Sequence, residues 1–336
     1  MPQSRLSRLS LALETGAVTI PATGLVAVLR PRATTDLSAL PRDRVRIIQG
    51  FRPDHDAWAA REYVCAVAPE GRYSAALVCV PRAKAEARAL IAEAVAVTDG
   101  PVIVDGQKTD GIDSLLKACR QRADVPMPTS KAHGKLFVLE AANDATFADW
   151  RVRPAAGPDG FRTMPGLFSA DGIDPGSALL ADALPAQMKG RVADLGAGWG
   201  YLSAEVLKRA DVTELHLIEA EHAALECAKV NITDPRARFH WADVTRFTPD
   251  EPFDLIVTNP PFHSSRAAEP ALGQAFLTAA ARMLAPSGQL WLVANRHLPY
   301  ERPLAQVFRE VAEVAGDNAF KVLQARMPLA QRHGRR

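Results

Sequence analysis

Residues 190–328 alternate short apolar runs with helical stretches at a spacing that few architectures accommodate. "GRVADLG" (190–196) is an apolar run ending in glycine, and "YLSAEVLKRA" after it has helical period. "ELHLIEA", "ARFHWADV", "FDLIVTNPPF", "GQLWLVANR" and "FKVLQARMP" read as further strands, with "HAALECAKVNI" and "EPALGQAFLTAAARML" as helices among them. Strand and helix in alternation build βαβ units, so the expected class is α/β: a parallel sheet with helices on both faces.

The first half repeats part of that order. "YSAALVCVPRAKAEARALIAEAV" (73–95) is strand, proline and alanine-rich helix, as is "FDLIVTNPPF" with its helix, and "GPVIVDGQK" (100–108) sits where "GQLWLVANR" (288–296) sits later. The ordered pair predicts a duplicated fold. The first copy has no glycine cluster after a strand, and Val80-Pro81-Arg82 stands where Asn-Pro-Pro-Phe would be, so it is expected to have lost its site. The Pro-, Gly- and Ala-rich "RVRPAAGPDGFR" (151–162) reads as a linker. Domains are therefore expected at 1–153 and 160–336, and 336 residues suit two.

Composition excludes little beyond that. With 48% hydrophobic and 23% charged residues the chain reads as soluble and globular; no apolar stretch approaches the ~20 residues that span a bilayer. A net charge of +2 neither supports nor excludes a nucleic-acid partner, and the basic "QRHGRR" tail reads as solvated. Cys65, Cys79, Cys119 and Cys227 are scattered without a C-x-x-C pair, so no metal site or disulfide framework is expected, only the reduced thiols of a cytoplasmic protein. "SRLSRLSLALETG" makes a poor signal peptide. Its Arg, Ser and Leu would suit an organelle presequence, but the preferred reading is an amphipathic first helix capped near Gly16.

"DLGAGWG" puts Gly196, Gly198 and Gly200 at the end of a strand, where glycine lets the backbone turn sharply and approach a ligand. A dinucleotide fingerprint needs its third glycine at 201, which is Tyr201, and no Lys-Ser/Thr follows as in a P-loop. Asp194 ahead of the glycines would repel a pyrophosphate and suits a cationic ammonium group. Glu219, ending the next strand, is placed for ribose hydroxyls, and Asp243, ending the third, for an adenine amine. Taken singly, Asp194 and Asp243 could merely cap turns. Together the three carboxylates favour adenosine with a positively charged amino-acid tail, which is S-adenosylmethionine.

The next strand ends in Asn259-Pro260-Pro261-Phe262. An amine conjugated to an aromatic ring is a poor nucleophile because its lone pair is delocalised. Accepting both of its hydrogens corrects this: the Asn259 amide oxygen is one acceptor and the Pro260 carbonyl the natural second. Pro261 stiffens the turn, and Phe262 is suited to stack on a flipped-out base. His263 beside it is tempting as a base, but a histidine lining the pocket or facing solvent is the simpler reading. Placement of this kind is catalysis by orientation and electrostatics.

"NPPF" with "DLGAGWG" resembles class I methyltransferases acting on planar amines, a set that includes DNA adenine, RNA guanine and protein glutamine enzymes. "PGLFSADGIDPGSALL" (165–180), "NPPFH", "VANRHLPYERPL" (293–304) and "FKVLQARM" (320–327) narrow the resemblance to the bacterial ribosomal RNA small-subunit methyltransferase C family. It implies two tandem Rossmann-like methyltransferase domains, the N-terminal one degenerate and the C-terminal one catalytic. The activity it implies is methylation of a guanine N2 in small-subunit rRNA, with rRNA, free or within the subunit, as the partner. Glu219 stands where that family commonly has aspartate. Relatives that methylate large-subunit guanines share these motifs, and a non-catalytic rRNA-binding assembly factor is the reading from another class. The first domain is expected to position RNA through cations such as Arg82, Lys84, Lys108 and Lys117, or to be a structural partner only.

Overall fold

Ser7 caps the first helix, α1 (Arg8–Glu14), by accepting a hydrogen bond from Ser10 N, and Gly16 in the left-handed region follows its end. The structure, a computed structural model, describes residues 7–140, 143–152, 155–157, 159–261 and 269–329. It divides into two units, Met1–Arg153 and Pro154–Arg336.

After α1 the first unit runs β1 (Val26–Leu29), β2 (Val45–Ile48), α2 (Arg52–Ala59), β3 (Val64–Ala66), β4 (Ala75–Cys79), α3 (Lys84–Val97), β5 (Val102–Gln107), α4 (Ile112–Arg120), β6 (Thr129–Lys131) and β7 (Gly134–Leu139). Its seven strands lie in the order β3-β2-β1-β4-β5-β7-β6. All neighbours are parallel except at β7, which runs antiparallel to both β5 and β6.

The second unit opens with a small hairpin, β8 (Ala155–Ala156) and β9 (Arg162–Thr163), formed within the segment that reads as a linker. It continues with α5 (Pro175–Ala183), β10 (Gly190–Leu195), α6 (Tyr201–Leu207), β11 (Val212–Glu219), α7 (His222–Asn231), β12 (Ala237–Trp241), β13 (Phe253–Thr258), α8 (Glu269–Met283), β14 (Leu284–Asn295), α9 (Glu301–Val307), β15 (Phe308–Gly316) and β16 (Phe320–Pro328). The strand order, β12-β11-β10-β13-β14-β16-β15, repeats that of the first unit place for place, with the antiparallel strand again second from the edge. The expected α/β class and the duplication both hold.

The central strands are buried on both faces, as a parallel sheet covered by helices requires. In β1, Val26 and Val28 face one core while Ala27 and Leu29 face the other; in β10, Val192 faces one and Ala193 and Leu195 the other. This period-two alternation leaves the strand ends as the place for polar groups.

Register makes the two units comparable residue by residue. Leu29 pairs with Ile48 and Val78, and Leu195 pairs with Ile218 and Thr258. Leu29 therefore corresponds to Leu195, Gln49 to Glu219, and Cys79-Val80-Pro81 to Asn259-Pro260-Pro261, so the register corrects the sequence reading: Cys79, not Val80, stands at the place of Asn259.

Candidate active site

Strands β10, β11 and β13 end level with one another at the carboxyl edge of the second sheet, either side of the point where the strand order reverses. That is where a doubly wound sheet leaves a crevice. The chain turns there on Gly196, Gly198 and Gly200, whose φ values of +72°, +57° and +96° are all in the region L side chains avoid. Gly196 N still donates to Ile218 O at 2.8 Å, so the chain remains bonded to β11 as the turn begins. A Cβ on Gly200 would lie 3.2 Å from Ile232, which fixes how closely α6 and α7 pack, whereas one on Gly198 would meet nothing among the described residues within 4 Å. Among the described residues, Gly198 faces open space.

The carboxylates gather round this turn in different states. Glu219 accepts from Gly198 N at 2.8 Å and from Glu221 N at 2.7 Å, so it braces the glycine turn, with a further lone pair on each oxygen. Burial raises its carboxyl above the ordinary range despite those amides. Asp243 closes an Asx turn: Oδ1 accepts from Thr245 N at 2.9 Å and Thr245 Oγ1 at 2.7 Å, leaving Oδ2 without a partner among the described residues. Asp194 is fully buried, its Oδ2 accepting from Ser203 Oγ at 2.8 Å and its Oδ1 without any partner among the described residues. Burial, with Glu219 nearby, pushes its carboxyl up to about 7 against the Ser203 hydrogen bond. A buried oxygen in that condition favours a cationic donor.

At the end of β13, Asn259 donates through Nδ2 to Asp174 Oδ2 and to Ser177 Oγ, both at 2.8 Å. Both amide hydrogens are thus engaged by α5 and its cap, and Oδ1 remains the accepting end. Pro260 is buried and Pro261 exposed; Phe262 and His263 lie outside the described residues.

Asp174 and Ser177 carry no sequence signal for this role. "DPGS" has a helix-start signature, an N-cap aspartate with proline at the first turn, but nothing in it points to a strand end 85 residues away. Trp199 and Asn231 are equally silent in the sequence. Trp199 Nε1 donates to Phe168 O at 3.0 Å, and Asn231 Nδ2 donates to Trp199 O at 2.8 Å and Arg162 O at 2.9 Å, tying β9 and the segment after it to the glycine turn.

The first unit keeps the frame and not the opening. Arg30 stands at the place of Gly196, with φ +58° and the matching hydrogen bond from its N to Ile48 O at 2.8 Å. Gln49 Oε1 accepts from Phe51 N at 2.9 Å, as Glu219 does from Glu221 N. Pro31 has no N–H to offer where the second unit has Ala197, and the Gln49 amide instead donates to Pro31 O at 2.9 Å. The Arg30 guanidinium reaches Gln49 Oε1 at 3.2 Å and Glu86 at 2.8 Å, and Arg32 follows at the place of Gly198. Cys79 replaces Asn259, its thiol pushed well above the ordinary range by burial and then by Asp105.

A sheet of this order, with a glycine turn among carboxylates and an Asn-Pro-Pro at the fourth strand, defines a class I methyltransferase. The Methyltransferase small domain family matches residues 160–324. The ribosomal RNA small subunit methyltransferase C of Shewanella sp. (strain MR-7) is 31% identical over 265 residues, covering 75% of this chain and 77% of that one. That of Psychromonas ingrahamii is 30% identical, with 76% of each covered. Among solved structures, the T. thermophilus 16S rRNA N2 G1207 methyltransferase in complex with AdoMet and guanosine superposes with a TM-score of 0.76 at 25% identity, over 92% of this chain and 89% of that one. This chain belongs to the ribosomal RNA small subunit methyltransferase C family.

The buried acid makes a testable demand on stability. The folded Asp194 carboxyl holds its proton to about pH 7, and the unfolded one releases it near ~4. Its contribution is therefore full below the unfolded value and lost as pH rises through 7. Asp194→Asn, isosteric with the protonated acid, is expected to match the parent near pH 4 and to be more stable at pH 8 by up to about 4 kcal/mol. Thermal melts of the ligand-free protein across that range check this; an equal offset at both ends would contradict it.

Proposed function

We propose that this chain transfers the methyl group of S-adenosylmethionine to the exocyclic N2 amine of a guanine in small-subunit ribosomal RNA. The guanine assigned is the one corresponding to that named for the T. thermophilus enzyme. The observation that carries the reading is the polarity of Asn259: with both N–H groups held by Asp174 and Ser177, its oxygen is the end left to accept from an amine.

The residues present fit the cofactor. Asp194, with its unpartnered buried Oδ1, would take the ammonium group; the open face of Gly198 admits the chain beside it. Glu219 would take the ribose hydroxyls on the lone pairs its backbone amides leave, and Asp243 Oδ2 the adenine amine. The bound cofactor supplies an electrophilic methyl on a sulfonium.

The chain's own part is orientation. Asn259 Oδ1 and the Pro260 carbonyl accept the two hydrogens of guanine N2, so the nitrogen lone pair turns out of conjugation and toward the methyl. Proline at 260 and 261 fixes that backbone before substrate arrives, and Phe262 stacks on the extruded base. The proton displaced from N2 is strongly acidic and leaves to water, so no general base is needed. Removing one preorganised hydrogen-bonding group of this kind typically costs 10²–10³-fold in turnover. Asn259→Ala is accordingly expected to lose roughly 10²-fold or more in kcat while cofactor affinity, measured by titration calorimetry, changes little. Comparable losses in both would make Asn259 a cofactor ligand instead.

One cofactor binds per chain in this reading, in the second unit, because Arg30 occupies the opening in the first. The first unit shows that this backbone position accepts arginine, and among the described residues only Phe276 at 3.9 Å approaches the space of a Cβ on Gly196. Gly196→Arg should therefore fold and reduce the calorimetric stoichiometry from one to zero. A wild-type stoichiometry of two would overturn the assignment.

The first unit's part is to position the RNA. Arg82, Lys84, Lys108 and Lys117 are all exposed there, and bonds from such side chains to phosphates place a substrate without reading its sequence. Neutralising all four should weaken RNA binding and flatten log affinity against log salt by about one unit for each phosphate no longer neutralised. An unchanged slope in a folded variant would leave the unit as a structural partner.

A further inference from the structure

The geometry points to Asp174, acting with Ser177, as the positioning residue that decides which end of the Asn259 amide faces the substrate. A side-chain amide is nearly symmetric in shape but not in chemistry: one end donates twice, the other only accepts. Turned the wrong way, Asn259 would present hydrogens to an amine that also has only hydrogens to offer.

Three 2.8 Å hydrogen bonds exclude that arrangement. Asp174 Oδ2 accepts from Asn259 Nδ2 and from Ser177 N, and Ser177 Oγ accepts the second Asn259 hydrogen. The Ser177 hydroxyl can serve either end of the amide, but a carboxylate oxygen has no hydrogen to give, so a reversed amide would set its oxygen against Asp174 and forfeit that bond. Ser177 is buried, and its backbone N–H is tied to the same carboxylate oxygen, so the cap of α5 and the polarity of Asn259 are set by one atom.

The segment carrying Asp174 is itself anchored. Thr163 Oγ1 donates to Ala170 O at 2.8 Å and Trp199 Nε1 to Phe168 O at 3.0 Å, and Ser169 turns with φ +52° between them. One stretch, 163–177, therefore touches the glycine turn at Trp199 and the catalytic amide at Asn259. This rests on the role given to Asn259 above; Asp174 acts through it and touches no substrate.

The test uses the full chain and has two readouts. In the ligand-free protein, the Asn259 side-chain ¹⁵N–H₂ resonances should exchange slowly with solvent, and Asp174→Ala should shift them and speed their exchange. Unmoved resonances would overturn the proposal whether or not the protein methylates rRNA, so this arm stands apart from the functional reading. For the kinetic arm, rRNA lacking the modification and labelled S-adenosylmethionine are the substrates. Asp174→Ala should lower kcat by roughly 10–100-fold, the usual scale for losing a group that orients a reacting one, with KM for either substrate within about threefold. Asn259→Asp sets two carboxylates face to face, so its kcat should be lowest at pH 8 and recover as pH falls and one of them takes a proton. The double variant Asp174→Asn/Asn259→Asp restores a donor on one side and an acceptor on the other. It should regain at least tenfold over Asn259→Asp at pH 8 and lose that pH dependence. A double variant no better than the single one, or an Asp174→Ala loss shared equally by kcat and both KM values, would overturn the positioning role. Absence of any rRNA methylation by the parent protein would sink the proposed function and leave the resonance arm to decide the orientation.

Discussion

At the end of its central strand each unit must turn the backbone away while keeping that strand bonded to its neighbour. Both do so with one residue in the left-handed region, Gly196 or Arg30, whose N–H still reaches the carbonyl of Ile218 or Ile48. The neighbours of that strand were added on opposite sides, β11 on one and β13 on the other, so their following helices leave in opposite directions and a crevice opens above. The remaining polar groups of the site take their positions from this turn. Glu219 is held by the amide of Gly198, Asp194 lies two residues before the turn, and Asn259 follows the strand that pairs level with it.

The crevice so formed is electrostatically one-sided. Asp194 and Glu219 are desolvated carboxyls, both raised by burial, and Asp194 is raised further by its neighbour. Backbone amides satisfy Glu219 well; among the described residues nothing satisfies Asp194 Oδ1. Asp194 Oδ1 is thus the acceptor of this edge that the fold itself leaves open. A group serving the fold alone would be expected to have found a partner, since an unsatisfied buried acceptor typically costs about 1–3 kcal/mol.

The second half of the chain is legible because its signals are local. Apolar runs ending in Gly, Glu or Asn announce strands and their functional ends within a few residues, and "FKVLQARMP" matches β16 to the residue. What escapes is what depends on partners far along the chain. β15 carries mostly exposed residues and has no apolar run to mark it, existing because β16 pairs with it. In the first half, β1, β2 and β3 are only three or four residues each, too short for periodicity to show. The Asp174–Asn259 contact spans 85 positions and joins an ordinary helix cap to a strand end, so each residue has a sufficient local explanation that conceals the other. Glu219 reads in the sequence as a ribose ligand; that it also braces the glycine turn emerges only in the fold.

The two units together separate what this fold needs from what a ligand needs. The left-handed residue, its bond to the second strand and the side chain accepting from an amide two residues on are kept in both. Arginine in that conformation costs about 1–2 kcal/mol more than glycine, which the Glu86 ion pair and the Gln49 hydrogen bond are placed to offset. Four of the altered positions change in one electrostatic sense: Asp194 to Val28, Gly196 to Arg30, Gly198 to Arg32 and Glu219 to Gln49. Each step removes negative charge or adds positive charge at the same edge of the same sheet. An edge that carries carboxyls in the second unit carries arginines in the first, with Arg30 paired there to Glu86. The change of sign is the one that the RNA-positioning role proposed for the first unit requires.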